Sequence, residues 1–241
     1  FGLGVDGALG GIIFSTLVIL ILTFFVIRPS LGNNNFRFFS PKKNLLFEYA
    51  IPVLFANIAF ALMTQADMVL VKHFFSEQDA GIYAAASVLG KAVLYLPGAF
   101  AIALFPMVAE NHALGKSSIN LFLQAIGLTA FLSLIGSLFF YFLADHIILL
   151  SYGTDYKEAS SILKYFGFAV LPMSLIMVAE YFLIAMGRVL FAYLFIVVAP
   201  LQLITIYYNH NTMLSIVFIM FMSGAILAMA GYGLLWKEFK K

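Results

Sequence analysis

Lys91 interrupts a long apolar run, and Tyr83, Ser87 and Tyr95 flank it at four-residue spacing. On a helix that spacing stacks the four side chains on one slowly drifting face. An ammonium in such a polar stripe suits contact with an anion. A lysine at the centre of a membrane helix costs about 2.5–3.5 kcal/mol on insertion scales, tolerable where it faces water or an anion. The stripe therefore predicts a cavity face made of Tyr83, Ser87, Lys91 and Tyr95. The alternative is a lysine packed against backbone carbonyls or a structural acid.

A second polar stripe precedes it. Asn57, Ala61, Thr64 and Gln65 share a helical face, and Asn57 and Gln65 join the candidate cavity residues. Asp67, in MTQADMVLVKHF, lies to one side of that stripe. Two readings of Asp67 stay open: bracing a helical hairpin, or ion coupling. Glu180 has the same two readings, structural beside Arg188 or coupling. At 1.5 Å per residue from the turn near Phe75, Asp67 lies about 10 Å deep and Lys91 more than about 20 Å deep. A direct Asp67–Lys91 pair is therefore not the first expectation.

These residues need long apolar elements to carry them. Of 241 residues, 63% are hydrophobic and 10% charged, and the mean hydropathy is +1.04. A soluble domain carries about 25% charged residues, so a membrane is the expected solvent. Seven runs approach the ~20 residues needed to span it: 7–27, 49–71, 81–106, 119–144, 161–183, 190–208 and 213–236. They are too long for the ~10-residue strands of a membrane barrel. The fold class is thus all-α and polytopic, with seven transmembrane helices.

Seven spans alternate sides, and the basic residues sort with them. Arg28, Arg37, Lys42, Lys43, Lys116, Arg188, Lys237, Lys240 and Lys241 fall on one side, and Lys72 and Lys157 on the other. Positive charge marks the cytoplasmic face. The N-terminus is therefore expected outside and the C-terminus inside. Residues 29–48 collect Pro, Gly, Asn and Ser, which are loop formers. The expected organisation is a leading helix over 1–28, a cytoplasmic linker over 29–48 and a six-helix lobe over 49–241. Ser76 and Asp79 fit a capping box, and Gly187 suits a helix C-terminus. The first residue is Phe, so the chain is expected to be a piece of a longer protein.

Other chemistry finds little support. GLGVDG at 2–7 matches a dinucleotide pattern, but no strand precedes it and no acid follows at the required distance. Gly7 and Gly11 read better as a helix-packing face. His73, His112, His146 and His210 have no partner at helical spacing, and there is no cysteine, so no metal site or cofactor is expected. The aromatics lack basic interleaving, so no nucleic acid is implied.

Three segments together are more specific: ADMVLVKHFFSEQDAGIYAAASVLGKAV, ALFPMV and LLSYGTDYKEASSIL. In order and spacing they resemble the bacterial oligosaccharide flippases, the polysaccharide-transporter branch of the superfamily that also holds the multidrug and toxin extruders. The resemblance carries Asp67 before a short outer loop, Gly81-Ile82-Tyr83, Leu104-Phe105-Pro106, and Tyr152-Gly153 with Tyr156. It implies a two-lobe flippase fold in which this chain is the sixth helix plus the second six-helix lobe, with the first lobe missing. It further implies a transporter, not an enzyme, that moves a polyprenyl-phosphate-linked oligosaccharide across the cytoplasmic membrane by alternating access for cell-surface polysaccharide such as O-antigen or lipopolysaccharide. Lys91 would attract the phosphate, and Asp67 or Glu180 would serve any ion coupling. Implied partners are the lipid-linked oligosaccharide, the bilayer, the missing lobe, a polysaccharide polymerase and glycosyltransferases. The alternatives are a multidrug extruder of the same fold and a membrane glycosyl- or acyltransferase.

Overall fold

The computed structural model describes residues 4–31 and 46–239 of the protein. Most of the expected linker lies outside these residues, as do Arg37, Lys42, Lys43, Lys240 and Lys241. No strand occurs among the described residues. The chain divides into two units, residues 1–42 and 43–241. The first contains helix α1, Gly4–Leu31, with Arg28 in its last turn and a shorter apolar run over Gly10–Val26.

The second unit is a bundle. One π-helical turn, Leu46–Ala50, leads into α2 (Ile51–Phe74); α3 (Glu77–Gly90) and α4 (Ala92–Ala113) follow. Then come α5 (Ile119–Tyr152), a short 3-10 turn at Thr154–Tyr156, α6 (Ala159–Ala185), α7 (Leu190–Tyr208) and α8 (Met213–Phe239). Six stretches here are long and apolar enough to cross a membrane, with α3 and α4 counting as one. The helices overrun the hydropathy limits. α5 reaches Tyr152, not 144, because hydropathy marks the lipid-facing length whereas helical hydrogen bonding continues past it.

The third expected span is present as one membrane-length stretch, Glu77–Ala113, with an interruption inside it. It is two helices broken at Lys91, whose backbone sits at φ −67°, ψ −12°. There the Leu94 N–H donates to the Lys91 carbonyl at 3.0 Å, a tightened i+3 turn. Six residues after Lys91, Pro97 has no N–H for the Val93 carbonyl. Ser133 of α5 takes that role, donating to Val93 O at 3.4 Å, and its hydroxyl lies 2.7 Å from that of Ser174 in α6. Pro52 falls in the first turn of α2, where Pro is well tolerated because its missing N–H needs no partner within that helix.

α6 is the hub. It packs against α3, α4, α5 and α8, and 72% of its membrane-length stretch is buried, against 22–39% for the other five. Between Lys164 and Glu180 its sequence carries no charge on any side, as suits a helix surrounded by protein. Close approach needs small residues, since lipid offers no hydrophobic drive between helices. A Cβ on Gly167 would sit 3.0 Å from the Ser137 backbone of α5, and one on Gly90 only 2.6 Å from the Phe166 ring. Tyr232 of α8 and Tyr49 donate to the α6 carbonyls of Leu175 and Ile184, each at 2.9 Å.

The helix ends follow the sequence signals. Ser76 accepts from the Asp79 N–H at 3.1 Å, and its hydroxyl donates to the Asp79 carboxylate at 2.7 Å. Gly187, at φ +71°, ends α6 in a Schellman motif: Gly187 N–H to Ile184 O at 3.0 Å and Arg188 N–H to Leu183 O at 2.9 Å. Gly115 ends α4 the same way.

Replacing Gly167 with alanine forces a methyl onto the α5 backbone. The expected cost is about 1–3 kcal/mol, read as a lower thermal unfolding midpoint of the purified protein in detergent. An unchanged midpoint would mean that α5 and α6 do not approach this closely.

Candidate functional site: a buried ion pair behind a polar face

α2 and α3 form an antiparallel hairpin turning at Phe75–Ser76, with Ser76 capping α3. Helical side chains lean toward their own N-terminus. Asp67 on α2 therefore leans away from the turn, while Tyr83, Ser87 and Lys91 lean toward it. The two leans bring the residues together across the depth gap. Lys91 Nζ lies 3.0 Å from Asp67 Oδ1, and the side chains are 4% and 0% exposed. The expectation against a direct pair is thus overturned. Counting depth along the helix axes leaves out the lean of both side chains and the length of the lysine stem.

The other carboxylate oxygen is also satisfied. Tyr83 donates its hydroxyl to Asp67 Oδ2 at 2.9 Å, and Ser87 donates to the same atom at 3.3 Å. Both donors are fully buried. Phe166 of α6 closes the cluster, with Lys91 Nζ 5.9 Å from its ring centre and Tyr83 packed edge-on against it. The pair is neutral as a unit and hydrogen-bonded, which makes it tolerable in an apolar bundle.

Lys91 also reaches outward. Its ammonium donates to Gln65 Oε1 at 3.4 Å, and Gln65 Nε2 donates to the Tyr95 hydroxyl at 2.7 Å. Gln65 is exposed and Tyr95 is 54% exposed. A chain of polar contacts thus runs from the lobe surface through Tyr95, Gln65 and Lys91 to Asp67. Of the expected stripe, Tyr83, Ser87 and Lys91 are turned inward and Tyr95 outward. Of the other stripe, Gln65 joins the cluster and Thr64 is buried against its own helix. Asn57 is exposed and bonds Val53 O at 2.8 Å, apart from the cluster.

Glu180 stands elsewhere, in α6. It is 5% exposed, and its Oε1 has no hydrogen-bond partner among the described residues. Lys164 pairs with Asp145 at 2.9 Å on the partly exposed rim; such pairs contribute about 0–1 kcal/mol.

Sequence reasoning missed a supporting contact. Gln202 of α7 donates to the Met63 carbonyl at 2.8 Å and accepts from Ser223 of α8 at 2.7 Å. It fastens α7 and α8 to α2 one turn from Asp67. Gln202 is the single side-chain amide in the apolar α7 run, and that isolation was the available signal.

An all-helical bundle with several membrane-length helices defines a multi-pass membrane protein. The family model described as "polysaccharide biosynthesis protein" matches residues 1–161. The chain belongs to this family, and the family is of the polysaccharide flippase type. No curated protein and no solved structure matches the chain significantly. The matched stretch holds Asn57, Gln65, Asp67, Tyr83, Ser87, Lys91 and Tyr95, whereas Glu180, Gln202 and Ser223 lie beyond it.

Asp67→Ala and Lys91→Ala each strand a buried charge, at a cost of about 3–5 kcal/mol. The double replacement Asp67→Leu with Lys91→Met leaves no charge and should recover most of that loss. Thermal unfolding of all three proteins in detergent checks this. A double variant as unstable as the sum of the singles would contradict the pairing.

Proposed function

We propose that this chain forms one lobe of a flippase that carries a polyprenyl-phosphate-linked oligosaccharide across the cytoplasmic membrane without altering it chemically. The observation that carries the reading is the exposed Tyr95–Gln65 pair backed by the Lys91 ammonium. An amide and a phenol exposed at membrane depth are costly against lipid and useful against a polar passenger. Sugar hydroxyls can exchange hydrogen bonds with both groups, and a phosphate favours the cation behind them. Membership of a polysaccharide biosynthesis family supports a saccharide passenger.

In this reading the Gln65–Tyr95 face lines a cavity shared with a second lobe. Rocking of the two lobes opens the cavity to each side in turn. The lipid tail stays in the bilayer while the headgroup passes the polar face. The basic-residue bias puts the N-terminus of this chain outside and its C-terminus in the cytoplasm. Glycosyltransferases that build the passenger, and a polymerase that uses it, are the expected neighbours. A multidrug extruder would call for an available acid in the cavity; Asp67 is neutralised by Lys91 and fully buried.

Gln65→Ala and Tyr95→Phe remove exposed groups, so the membrane abundance of the full-length protein should not change. Each loses a hydrogen bond worth about 0.5–1.5 kcal/mol, and the pair together should slow transport roughly tenfold. Initial rates in proteoliposomes carrying a fluorescent lipid-linked oligosaccharide test this. Wild-type rates in the double variant would remove this face from the transport route.

A further inference from the structure

We propose that Asp67 is a built-in rival of the passenger's phosphate: the Lys91 ammonium exchanges the carboxylate for the phosphate, and Asp67 takes up a proton as the ammonium leaves. This rests on the reading that the Gln65–Tyr95 face meets a phosphate-bearing lipid.

One cation serves this cluster. The groups facing Asp67 are Lys91 at the helix break, Tyr83 and Ser87 from α3, and Gln65 from its own helix. From α6 comes Phe166, and from α8 Met220, whose sulfur lies 3.7 Å from the Tyr83 hydroxyl. From α7 comes Gln202, which bonds the Met63 carbonyl and not the carboxylate. Lys91 is the single cation among these described side chains. The exposed Gln65 amide accepts from its ammonium at 3.4 Å and so joins it to the exposed face, and Lys91 stands at the α3–α4 break. Turning Gln65 aside would expose the ammonium to an anion without unfolding either helix.

The exchange must balance charge. Asp67 has no exposure, so water cannot replace a departed ammonium. A bare buried carboxylate is far costlier than the neutral acid, so a proton from hydronium at the exposed face passes in where Gln65 has turned aside, leaving water behind, and an O–H bond forms on Asp67. The ammonium keeps its own protons throughout. The neutral acid still accepts from Tyr83 and Ser87 on its carbonyl oxygen, so neither donor loses its partner. When the proton leaves, the carboxylate draws the ammonium back and the phosphate is released. Tight capture and ready release are then reconciled by one side chain.

The sign follows. Binding that takes up one proton weakens as pH rises, by up to tenfold per pH unit. The test uses full-length protein in detergent with farnesyl pyrophosphate and, separately, inorganic pyrophosphate, over a range of pH. Asp67→Asn keeps the shape and an acceptor but needs no proton. Its pH dependence therefore reports the titration of the probe alone. Wild type should lose affinity more steeply with pH than Asp67→Asn, and the variant should bind more tightly at high pH. Calorimetry of wild type in two buffers of different ionisation enthalpy counts the proton directly, and it stands even if the variant does not fold. Uptake close to one proton beyond the probe's own is expected. Preference for farnesyl pyrophosphate assigns the anion to a lipid headgroup; equal binding of inorganic pyrophosphate assigns the exchange to the free anion. Equal slopes, or no extra proton in wild type, overturn the exchange but leave the phosphate site standing. Failure of wild type to bind either probe overturns the reading on which the exchange rests.

Discussion

A carboxylate sealed inside an apolar bundle sets the terms for everything around it. Asp67 has no exposure, and neither lipid nor water can stabilise its charge there. Its partners must come from the protein, and they come from one place: the face of α3 and the residue that ends it. Tyr83, Ser87 and Lys91 converge on the two oxygens because the hairpin is antiparallel and side chains lean toward helix N-termini. The register of α2 against α3 is fixed by this convergence. A slip of one residue would turn the donors away and strand both charges.

The rest of the lobe is held by quieter means. Glycines at 90 and 167 let Phe166 and the α5 backbone close in. Hydroxyls and amides then satisfy what the packing leaves open, as Ser133 does for the carbonyl freed by Pro97 and Gln202 does beside Met63. These contacts are individually modest, about 0.6 kcal/mol on average between membrane helices. Their placement matters more than their strength. They tie α5, α6, α7 and α8 around the ion pair and leave the Gln65–Tyr95 side of α2 and α4 uncovered by this lobe.

Much of the fold was legible in the sequence because the signals were local. Hydropathy located the helices, and Ser76 and Gly187 stand where their helices begin or end. Two things were not legible. The break at Lys91 is a matter of one backbone angle and one shifted hydrogen bond, which composition does not record. The Asp67–Lys91 pair was visible as two anomalous residues, yet axial counting kept them apart, since it treats side chains as points on a helix axis. The polar stripe was read as one face, whereas three of its members turn inward and Tyr95 alone turns out. Glu180 was read as structural or ion-coupling; it is buried, and its Oε1 has no hydrogen-bond partner among the described residues.

The central position of α6 has a consequence for how the lobe is made. Three of its neighbours, α3, α4 and α5, precede it in the chain, and one, α8, follows. When the ribosome has delivered α2 through α5, the slot that α6 fills is still vacant, and Gly90 and Ser137 stand ready without the Phe166 ring and Gly167 that they are shaped to receive. The ion pair can already form, since α2 and α3 hold all of its members but the residue between α3 and α4. The hairpin around Asp67 is thus the earliest part of the lobe able to reach its final form. The packing of α3, α4 and α5 onto α6 can be completed only after that helix arrives.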